Sequence, residues 1–396
     1  MKLLDFTEEF TRSQQVREMG IYPYFNPISS EQDTEVICNG RKMLMMGSNN
    51  YLGLANHPKI KERAQAAIEK YGTSCSGSRF LNGTLDLHLE LEERLAQFVD
   101  KEAALVYSTG FQTCLGSIST IAIKGSYVLI DRLDHASIVD GSRLAFARIK
   151  KYRHNDMTSL EQQLKDCGDA GKLIVVDGLF SMDGDIADLP NIVKLAEKYN
   201  ANLLVDDAHA IGVLGPKGNG TGHHFGVQDK VDLVVGTFSK SLASIGGFLA
   251  GTNQVLEYIK HFSRPLIFSA AISPPNAAAA LAALDIIETE PDRMKKLWDN
   301  TNWLLDEFKN MGFDTGRSTT PVIPLIVGDD ELCFMFWRKL FDAGIWVNPI
   351  ISPAVEPENA LVRISLMATH KKEQLEGALD TFEKFGKELG IINRHQ

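Results

Sequence analysis

The sequence predicts an α/β protein, with a mainly parallel β-sheet in a large domain and a smaller C-terminal α+β domain. Three observations support this fold class. Short apolar runs alternate with helical stretches through most of the chain. A long helix is expected after Ser273, where two prolines follow. The length of 396 residues is enough to bury one large core and a smaller one.

The apolar runs locate the strands, because short runs of aliphatic residues suit strands that are covered on both faces. The predicted strands of the large domain lie near Ala104, Tyr127, Leu173, Leu203, Val234 and Phe248. Helical stretches at 160–165 and 189–199 are typical of crossovers between parallel strands. Strands near Val322 and Val362 are expected in the C-terminal domain. We expect an N-terminal arm at 1–48, a large domain at 49–285 and a small domain at 286–396.

Composition excludes several classes of protein. Hydrophobic residues make up 44% of the chain and charged residues 23%, which is ordinary for a globular protein. A net charge of −10 with no basic block argues against nucleic-acid binding. The cysteines are scattered and form no CxxC pair; they are Cys38, Cys75, Cys114, Cys167 and Cys333. We therefore expect a reducing compartment and no metal site.

Targeting signals are also not expected. The N-terminal stretch MKLLDFTEEFTRSQQ mixes acidic with apolar residues and has no signal-peptide core. The charge-free run from Pro265 to Leu284 reaches membrane-spanning length, but it contains Pro274, Pro275 and Asn276 and is rich in alanine. The sequence therefore predicts a cytoplasmic protein without a membrane span.

Lys240 follows a predicted buried strand and precedes a glycine-rich turn, in VDLVVGTFSKSLASIGGFLAG (Val231 to Gly251). The hydroxyls of Thr237, Ser239 and Ser241 surround it in sequence. Desolvation disfavours an ammonium, so an amine at a buried strand end can attack carbonyl groups. The alternative is a surface lysine in a polar turn.

A carboxylate and an imidazole follow the preceding strand, in ANLLVDDAHAIGVLG (Ala201 to Gly215). The spacing Asp206-x-x-His209 allows both side chains to leave one strand end toward one cavity. Pyridoxal phosphate needs a lysine for its Schiff base, a carboxylate for its ring nitrogen and a donor for its phenolic oxygen. Lys240, Asp206 and His209 fill these roles in that order. Alternatively, Asp206 caps a helix and His209 is a core histidine.

A phosphate cradle is predicted earlier in the chain, in AALVYSTGFQTCLGSIST (Ala103 to Thr120). This stretch reads as strand, tight turn and helix, and a helix N-terminus offers free N–H groups to a phosphate. His135, in SYVLIDRLDHASIVDGSRLA (Ser126 to Ala145), lies just past another strand end. Its imidazole could stack on a flat cofactor ring, or it could cap a helix or lie on the surface.

Four motifs together resemble those of the α-oxoamine synthases, fold-type I pyridoxal phosphate enzymes that condense an amino acid with an acyl-CoA and release carbon dioxide. The resemblance runs from about Asn49 to His370, with the motifs in the family's order. The motifs are SNNYLGL (48–54), DHASIVDG (134–141), VDDAHAIGVLG (205–215) and GTFSKSLASIGGF (236–248).

The resemblance implies catalytic roles for four residues. Lys240 would form the Schiff base and transfer the proton, and Asp206 would pair with the ring nitrogen. His209 would bond the phenolic oxygen, and His135 would stack on the ring and touch the substrate.

The resemblance also implies which residues surround the phosphate and the substrate. Residues expected at or near the cofactor, beyond the catalytic four, are Gly110, Phe111, Thr237, Ser181 in DGLFSMDGD (177–185) and Ser269 in RPLIFSAAISPP (264–275). Ser269 matches a segment that reaches the phosphate of the neighbouring subunit, so a homodimer with active sites at its interface is implied. Arg363, in ALVRISLMATH (360–370), would bind the substrate carboxylate, and Asn49 would lie at the substrate end.

Within this family, GSRFLNGTLDLHLELE (77–92), IYPYFNPISSEQDTEV (21–36) and RISLMATH look most like the bacterial branch that condenses L-serine with palmitoyl-CoA. The implied reaction is the first step of sphingolipid biosynthesis, giving 3-ketodihydrosphingosine, carbon dioxide and CoA. The alternatives are a glycine- or alanine-using member of the family, or a catalytically silent partner subunit.

A long-chain acyl substrate makes peripheral contact with the inner face of the membrane plausible. Tyr22, Tyr24 and Phe25 are candidates for that contact, or for packing onto the main domain.

Overall fold

The computed structural model describes residues 2–392 and divides the chain into two compact units. One unit contains residues 49–298, and the other combines residues 1–48 with 299–396. The strands are β1 Glu35–Cys38, β2 Arg41–Met45, β3 Ala103–Tyr107, β4 Tyr127–Asp131, β5 Arg148–Tyr152, β6 Lys172–Asp177, β7 Asn202–Asp206, β8 Leu233–Thr237, β9 Gly247–Gly251, β10 Val322–Ile326, β11 Ile345–Trp346, β12 Asn348–Ile350 and β13 Leu361–Ser365.

Fourteen α-helices are described within residues 2–392. They are α1 Arg12–Glu18, α2 Pro58–Tyr71, α3 Asp86–Phe98, α4 Gly110–Ile121, α5 Ala136–Leu144, α6 Met157–Lys165, α7 Leu189–Lys198, α8 Thr221–His224, α9 Asn253–Phe262, α10 Arg264–Ile267, α11 Pro274–Thr289, α12 Asp292–Asn310, α13 Asp330–Asp342 and α14 Lys372–Glu388. Short 3₁₀ helices span Asp5–Glu9, Gln228–Lys230 and Pro357–Asn359.

The central sheet of the unit 49–298 has seven strands in the order β3-β9-β8-β7-β6-β4-β5. Every neighbouring pair from β8 to β5 is parallel, whereas β9 is antiparallel to both β8 and β3. The mainly parallel sheet predicted from the sequence is therefore confirmed, as is each of its six predicted strands. Because β3, β4, β5, β6, β7 and β8 share a direction, their carboxyl ends and the start of β9 meet at one edge, where ligands bind in such sheets.

Two apolar layers cover the two faces of this sheet, which explains why its strands are apolar throughout. Alternate residues point to opposite faces, so Val235 packs in one layer and Val234 in the other. Helices α4 and α5 contribute to the first layer, and α6 and α7 to the second. Fully burying one such side chain contributes about 1.5–3 kcal/mol, so these layers hold the strand ends in fixed positions.

The unit formed by residues 1–48 and 299–396 contains two three-stranded sheets, ordered β1-β2-β11 and β10-β13-β12. The predicted strands near Val322 and Val362 are confirmed as β10 and β13. Aromatic rings of Phe308, Phe336 and Phe382 pack edge to face in its core.

The units differ from the predicted segments 1–48, 49–285 and 286–396. Residues 1–48 belong with the C-terminal segment because β2 pairs in parallel with β11. The long helix expected after Ser273 is α11, and a boundary at residue 285 would cut through it. All of α11 belongs with residues 49–298, where it packs against α2 and α3.

Within residues 2–392, no helix is both long and apolar enough to span a membrane. The same residues contain no group of three or more His, Cys, Asp or Glu side chains placed to hold a metal ion. In the N-terminal arm, Tyr22 packs edge to face with Tyr24 and lies under the Arg17 guanidinium, whereas Phe25 is 92% exposed.

Candidate active site at the carboxyl ends of the strands

Polar side chains end four neighbouring strands of the central sheet. Asp131, Asp177, Asp206 and Thr237 are the last residues of β4, β6, β7 and β8. All four are buried, and Asp177 and Asp206 are direct register partners. Buried carboxylates are costly unless they are hydrogen-bonded, so such a row at a ligand-binding edge indicates a functional site.

Asp206 is held as a hydrogen-bond acceptor at the end of β7. Its Oδ1 accepts from the Ala208 amide at 3.0 Å, and its Oδ2 accepts from the Cys114 thiol at 3.0 Å. Hydrogen bonds to a carboxylate favour its charged form. Asp206 is therefore suited to pairing with a cationic group.

Lys240 lies three residues past the end of β8, in a tightly closed turn, and is half-buried. The Lys240 carbonyl accepts a hydrogen bond from the Ala243 amide at 3.0 Å. The Phe238 amide donates to the Gly246 carbonyl, and the Phe238 carbonyl accepts from the Ser244 amide. Gly246 has φ +142°, and a Cβ there would lie 2.4 Å from a ring carbon of Phe238. Glycine is thus required at this position to form the turn that carries Lys240.

His209 is fixed by a residue far away in sequence. The Tyr51 hydroxyl lies 2.7 Å from His209 Nδ1, and both side chains are buried. The same hydroxyl contacts Asn49 Oδ1 at 3.4 Å. The structure therefore brings Asn49 into a hydrogen-bonded chain that ends at His209.

His135 is the N-cap of α5, and its ring is accessible from solvent. Its Nδ1 accepts from the Ser137 amide at 3.2 Å, and its own amide donates to Asp177 Oδ2 at 2.8 Å. Partial burial lowers the pKa of His135. The negative charge of Asp206 opposes this shift, and the positive charge of Lys240 adds to it. The neutral imidazole is therefore favoured, and the effect of both charges on it places it in the same site.

The start of α4 forms a cradle for an anion. Thr109 caps the helix by accepting from the Gln112 amide at 3.1 Å, and the first-turn amides of any helix lack partners within the helix. A Cβ on Gly110 would lie 2.7 Å from Thr237 Oγ1, and one on Gly247 would lie 2.7 Å from the Gly110 Cα. Two glycines thus let β8, β9 and α4 approach closely, as a phosphate site requires. Phe111 follows, with its ring centre 6.3 Å from that of His135.

Ser269 lies beside this cradle within the same chain. Gln112 Nε2 donates to Ser269 Oγ at 3.1 Å, and the Ser108 hydroxyl donates to the Ala270 carbonyl. The segment containing Ser269 is therefore anchored next to the first turn of α4. Its contact with the phosphate of a neighbouring subunit stays a prediction.

Two further predicted residues belong to other elements of the structure. Ser181 lies in the turn after β6 and is half-buried. Arg363 belongs to the other unit, on β13, where Pro324 and Asn348 are its register partners. It is only 6% exposed, and a guanidinium is seldom buried unless it is paired.

The sequence matches a known protein family. The family profile described as aminotransferase class I and II matches residues 41–382. The chain belongs to the aminotransferase class I and II family.

Two named relatives indicate the position of the chain within this family. The chain is 49% identical over 391 residues to the serine palmitoyltransferase of Sphingobacterium spiritivorum, covering 98% of each chain. It is 43% identical over 391 residues to the 8-amino-7-oxononanoate synthase of Thermoanaerobacter pseudethanolicus, again covering 98% of each. Both names are those of α-oxoamine synthases, so the expected family resemblance is confirmed.

A solved structure supports the same assignment. A high-resolution structure of SPT with a PLP internal aldimine superposes with a TM-score of 0.96, at 35% identity, covering 99% of this chain and 100% of that one. The aminotransferase-family chain therefore has the fold of fold-type I pyridoxal phosphate enzymes, as the sequence predicted.

Three residues of the site were not singled out in the sequence. Tyr51 lies in the motif SNNYLGL, and Asp177 is the first residue of DGLFSMDGD. Both motifs were used in the sequence analysis, but no role was predicted for these two residues. Cys114 was counted only among the scattered cysteines. The position of Asp177 at a strand end, next to Asp206 in the sheet, was the one signal that could have identified it.

Proposed function

We propose that this protein is a pyridoxal phosphate-dependent acyltransferase that condenses L-serine with a long-chain acyl-CoA, such as palmitoyl-CoA. The products are 3-ketodihydrosphingosine, carbon dioxide and CoA, in the first step of sphingolipid biosynthesis. The observation that carries the substrate assignment is the 49% identity to a serine palmitoyltransferase along 98% of both chains. The identity of 43% to an 8-amino-7-oxononanoate synthase is lower.

The residues at the sheet edge fit pyridoxal phosphate. Gly110 at the start of α4 and Gly247 at the start of β9 leave room that a Cβ would fill, and Thr237 adds a hydroxyl beside the first-turn amides. Phe111, Ser181 and Ser269 are proposed to complete the surroundings of the cofactor. When bound, the cofactor supplies an electron sink for the carbanion at the amino-acid α-carbon.

Lys240 is proposed to hold the cofactor and to move the proton at the substrate α-carbon. Its four-carbon side chain lets the amine swing between two positions, while the closed turn from Phe238 to Gly246 fixes its backbone. In its uncharged form the amine can accept a proton.

Asp206 is proposed to keep the ring nitrogen protonated. The Ala208 amide and the Cys114 thiol fix its two oxygens, and a buried carboxylate stabilises a cation next to it strongly. His209 is proposed to donate to the phenolic oxygen. Its contact with Tyr51 orients the ring.

His135 is proposed to stack on the cofactor ring and to contact the substrate. The lowered pKa of His135 favours the neutral ring, which adds no charge that would compete with the protonated ring nitrogen. The Ser137 amide orients the ring through Nδ1, and the Asp177 carboxylate holds the His135 backbone amide. A ring held in this way sets the plane to which the breaking bond must stand perpendicular.

Arg363 and Asn49 are proposed to bind serine. A guanidinium grips a carboxylate through two parallel hydrogen bonds, which fixes both the position and the orientation of the amino acid. Asn49, at the end of the chain through Tyr51 to His209, would contact the substrate from the cofactor side.

A homodimer is proposed, with the segment around Ser269 at its interface. Phe268 is 79% exposed in this chain although it lies next to the cradle, and an exposed aromatic side chain beside a site suits a subunit contact. Mass measurement in solution should give about twice 43.8 kDa. A cytoplasmic location with peripheral membrane contact is proposed on the ground that the acyl substrate is a lipid.

The test of this function is a product assay by mass spectrometry. The protein with pyridoxal phosphate receives serine, alanine, glycine or threonine, each with acetyl-, succinyl-, pimeloyl- or palmitoyl-CoA, and Lys240→Ala serves as the control. We expect a decarboxylated amino ketone from serine with palmitoyl-CoA alone. A product from glycine or from a short acyl donor would refute the substrate assignment and retain the family.

The second candidate is an 8-amino-7-oxononanoate synthase, because relatives with that name are 41–43% identical over 391 residues. The same assay separates the two, since this candidate requires a product from alanine with pimeloyl-CoA. A protein that stays colourless with pyridoxal phosphate and forms no product would instead be a silent partner subunit.

A further inference from the structure

Cys114 joins the cradle helix to the carboxylate at the end of β7. It lies four residues after Gly110 on α4, one helical turn on, and is 1% exposed. Its thiol is 3.0 Å from Asp206 Oδ2, and Asp206 is 4% exposed. A single helix therefore carries both the predicted phosphate cradle and a donor to the predicted ring-nitrogen partner.

The environment of Cys114 favours the protonated thiol, which is the form that donates a hydrogen bond. Burial raises the pKa of Cys114 well above its usual range, and the negative charges of Asp206 and Asp177 raise it further, while the Ser137 hydroxyl opposes them. The thiol is therefore favoured over the thiolate, which is the nucleophilic form. A protonated thiol facing a carboxylate oxygen can only donate to it.

The contacts continue to His135. The Ser137 hydroxyl lies within hydrogen-bonding reach of the Cys114 sulfur and 2.7 Å from His135 Nδ1. Cys114 is thus the middle of a chain of polar contacts that connects His135 with Asp206. Both ends of this chain are predicted to contact the cofactor ring.

We propose that Cys114 is a positioning residue for the cofactor site, whose thiol holds the Asp206 carboxylate in its orientation. This inference rests on the proposed function only in that it requires pyridoxal phosphate to bind. It does not depend on which amino acid or acyl-CoA reacts.

The test compares Cys114→Ala, Cys114→Ser and the control Cys167→Ala. Cys167 is also buried in the unit 49–298, but its thiol bonds the Gln163 carbonyl one turn earlier in its own helix region, away from the strand ends. The affinity for pyridoxal phosphate is measured by titration of cofactor-free protein, together with the absorption spectrum of the bound cofactor and the melting temperature without cofactor.

We expect Cys114→Ala to weaken cofactor binding about ten-fold and to shift the absorption band, because a hydrogen bond to a charged group is lost. Cys114→Ser keeps a donor and should stay within about three-fold of wild type. Cys167→Ala should leave affinity and spectrum unchanged.

Three results would overturn the proposal. The first is wild-type affinity and spectrum in Cys114→Ala. The second is a loss of cofactor affinity in Cys114→Ala that Cys114→Ser does not restore, and the third is an equal loss in Cys167→Ala. Failure of the proposed function is distinguishable, since in that case the wild-type protein itself either binds no pyridoxal phosphate or makes no product from serine.

Discussion

Replacing Gly247 with alanine would place a methyl group where β9 meets the start of α4. The new Cβ would lie 2.6 Å from Thr113 Oγ1 and 2.7 Å from the Cα of Gly110. Ordinary contact begins at 3.4 Å, so α4 must retreat from β9 by roughly 0.7 Å. The atoms in the way are mostly backbone, which cannot rotate aside as the end of a flexible side chain does.

The expected cost has two parts. Overpacking lowers the free energy of unfolding of the cofactor-free protein by about 1–3 kcal/mol. Displacement of the first-turn amides weakens their bonds to the phosphate, for which a loss of about 1.5–3 kcal/mol corresponds to at least a ten-fold weaker affinity for pyridoxal phosphate.

Urea denaturation of the cofactor-free protein and fluorescence titration with pyridoxal phosphate measure the two parts separately. Gly377→Ala is the matched control, because Gly377 lies within α14 and a Cβ there meets nothing within 4 Å. That variant should gain about 0.5–1 kcal/mol and bind the cofactor as wild type does. Wild-type stability and affinity in Gly247→Ala would refute the reasoning that close backbone approach builds the cradle.

Four further predictions concern single side chains. Lys240→Ala should form no product while its circular dichroism spectrum stays native; measurable turnover would contradict its role. Arg363→Lys should raise the KM for serine about ten-fold and leave that for acyl-CoA unchanged, whereas equal changes in both would argue against carboxylate binding. Tyr51→Phe removes the 2.7 Å contact with His209 and should lower kcat/KM about ten-fold without unfolding, and full activity would show the contact to be dispensable. For His154, burial would lower the pKa, but hydrogen bonds to two buried carboxylates raise it to about 9. The contribution of His154 to the free energy of unfolding is thus complete below pH 6.5 and is lost as the pH rises through 9. In urea denaturation, His154→Gln should therefore lower the free energy of unfolding by roughly 2 kcal/mol at pH 6 and by much less at pH 9.5. A difference that does not change with pH would contradict this ionic role.

Much of the sheet could be predicted because its strands carry strong local signals. The apolar runs at β3, β4, β6, β7 and β8 are short, continuous and bounded by turn residues. Strand β5 was not predicted, since its sequence RIKKY is charged and only Tyr152 among its residues is buried. An edge strand of this kind has no apolar pattern to reveal it.

The direction of β9 and the grouping of the N-terminal arm depend on long-range pairing. Strand β9 was predicted, but the nine residues after β8 are too few for a crossover helix and their length favours the antiparallel pairing that is observed. The pairing of β2 with β11 joins segments about 300 residues apart, and no local property of either segment encodes it.

The same distinction applies to the site. Lys240, Asp206 and His209 could be predicted because each ends a strand or follows one within a few residues, and the ends of parallel strands converge. Tyr51 is 158 residues from His209, and Cys114 is 92 residues from Asp206. Their roles arise only when α4 and the segment before α2 fold onto the sheet edge, so spacing in the sequence could not reveal them.

The most direct test of the central claim is to identify the residue to which the cofactor attaches. Borohydride treatment of the protein with bound pyridoxal phosphate, followed by digestion and peptide mass spectrometry, makes that attachment permanent and locates it. The strand-end site predicts one modified peptide, carrying the pyridoxyl group on Lys240, and none in Lys240→Ala. Modification of a different lysine, or of none, would contradict the assignment of the active site to this edge of the sheet.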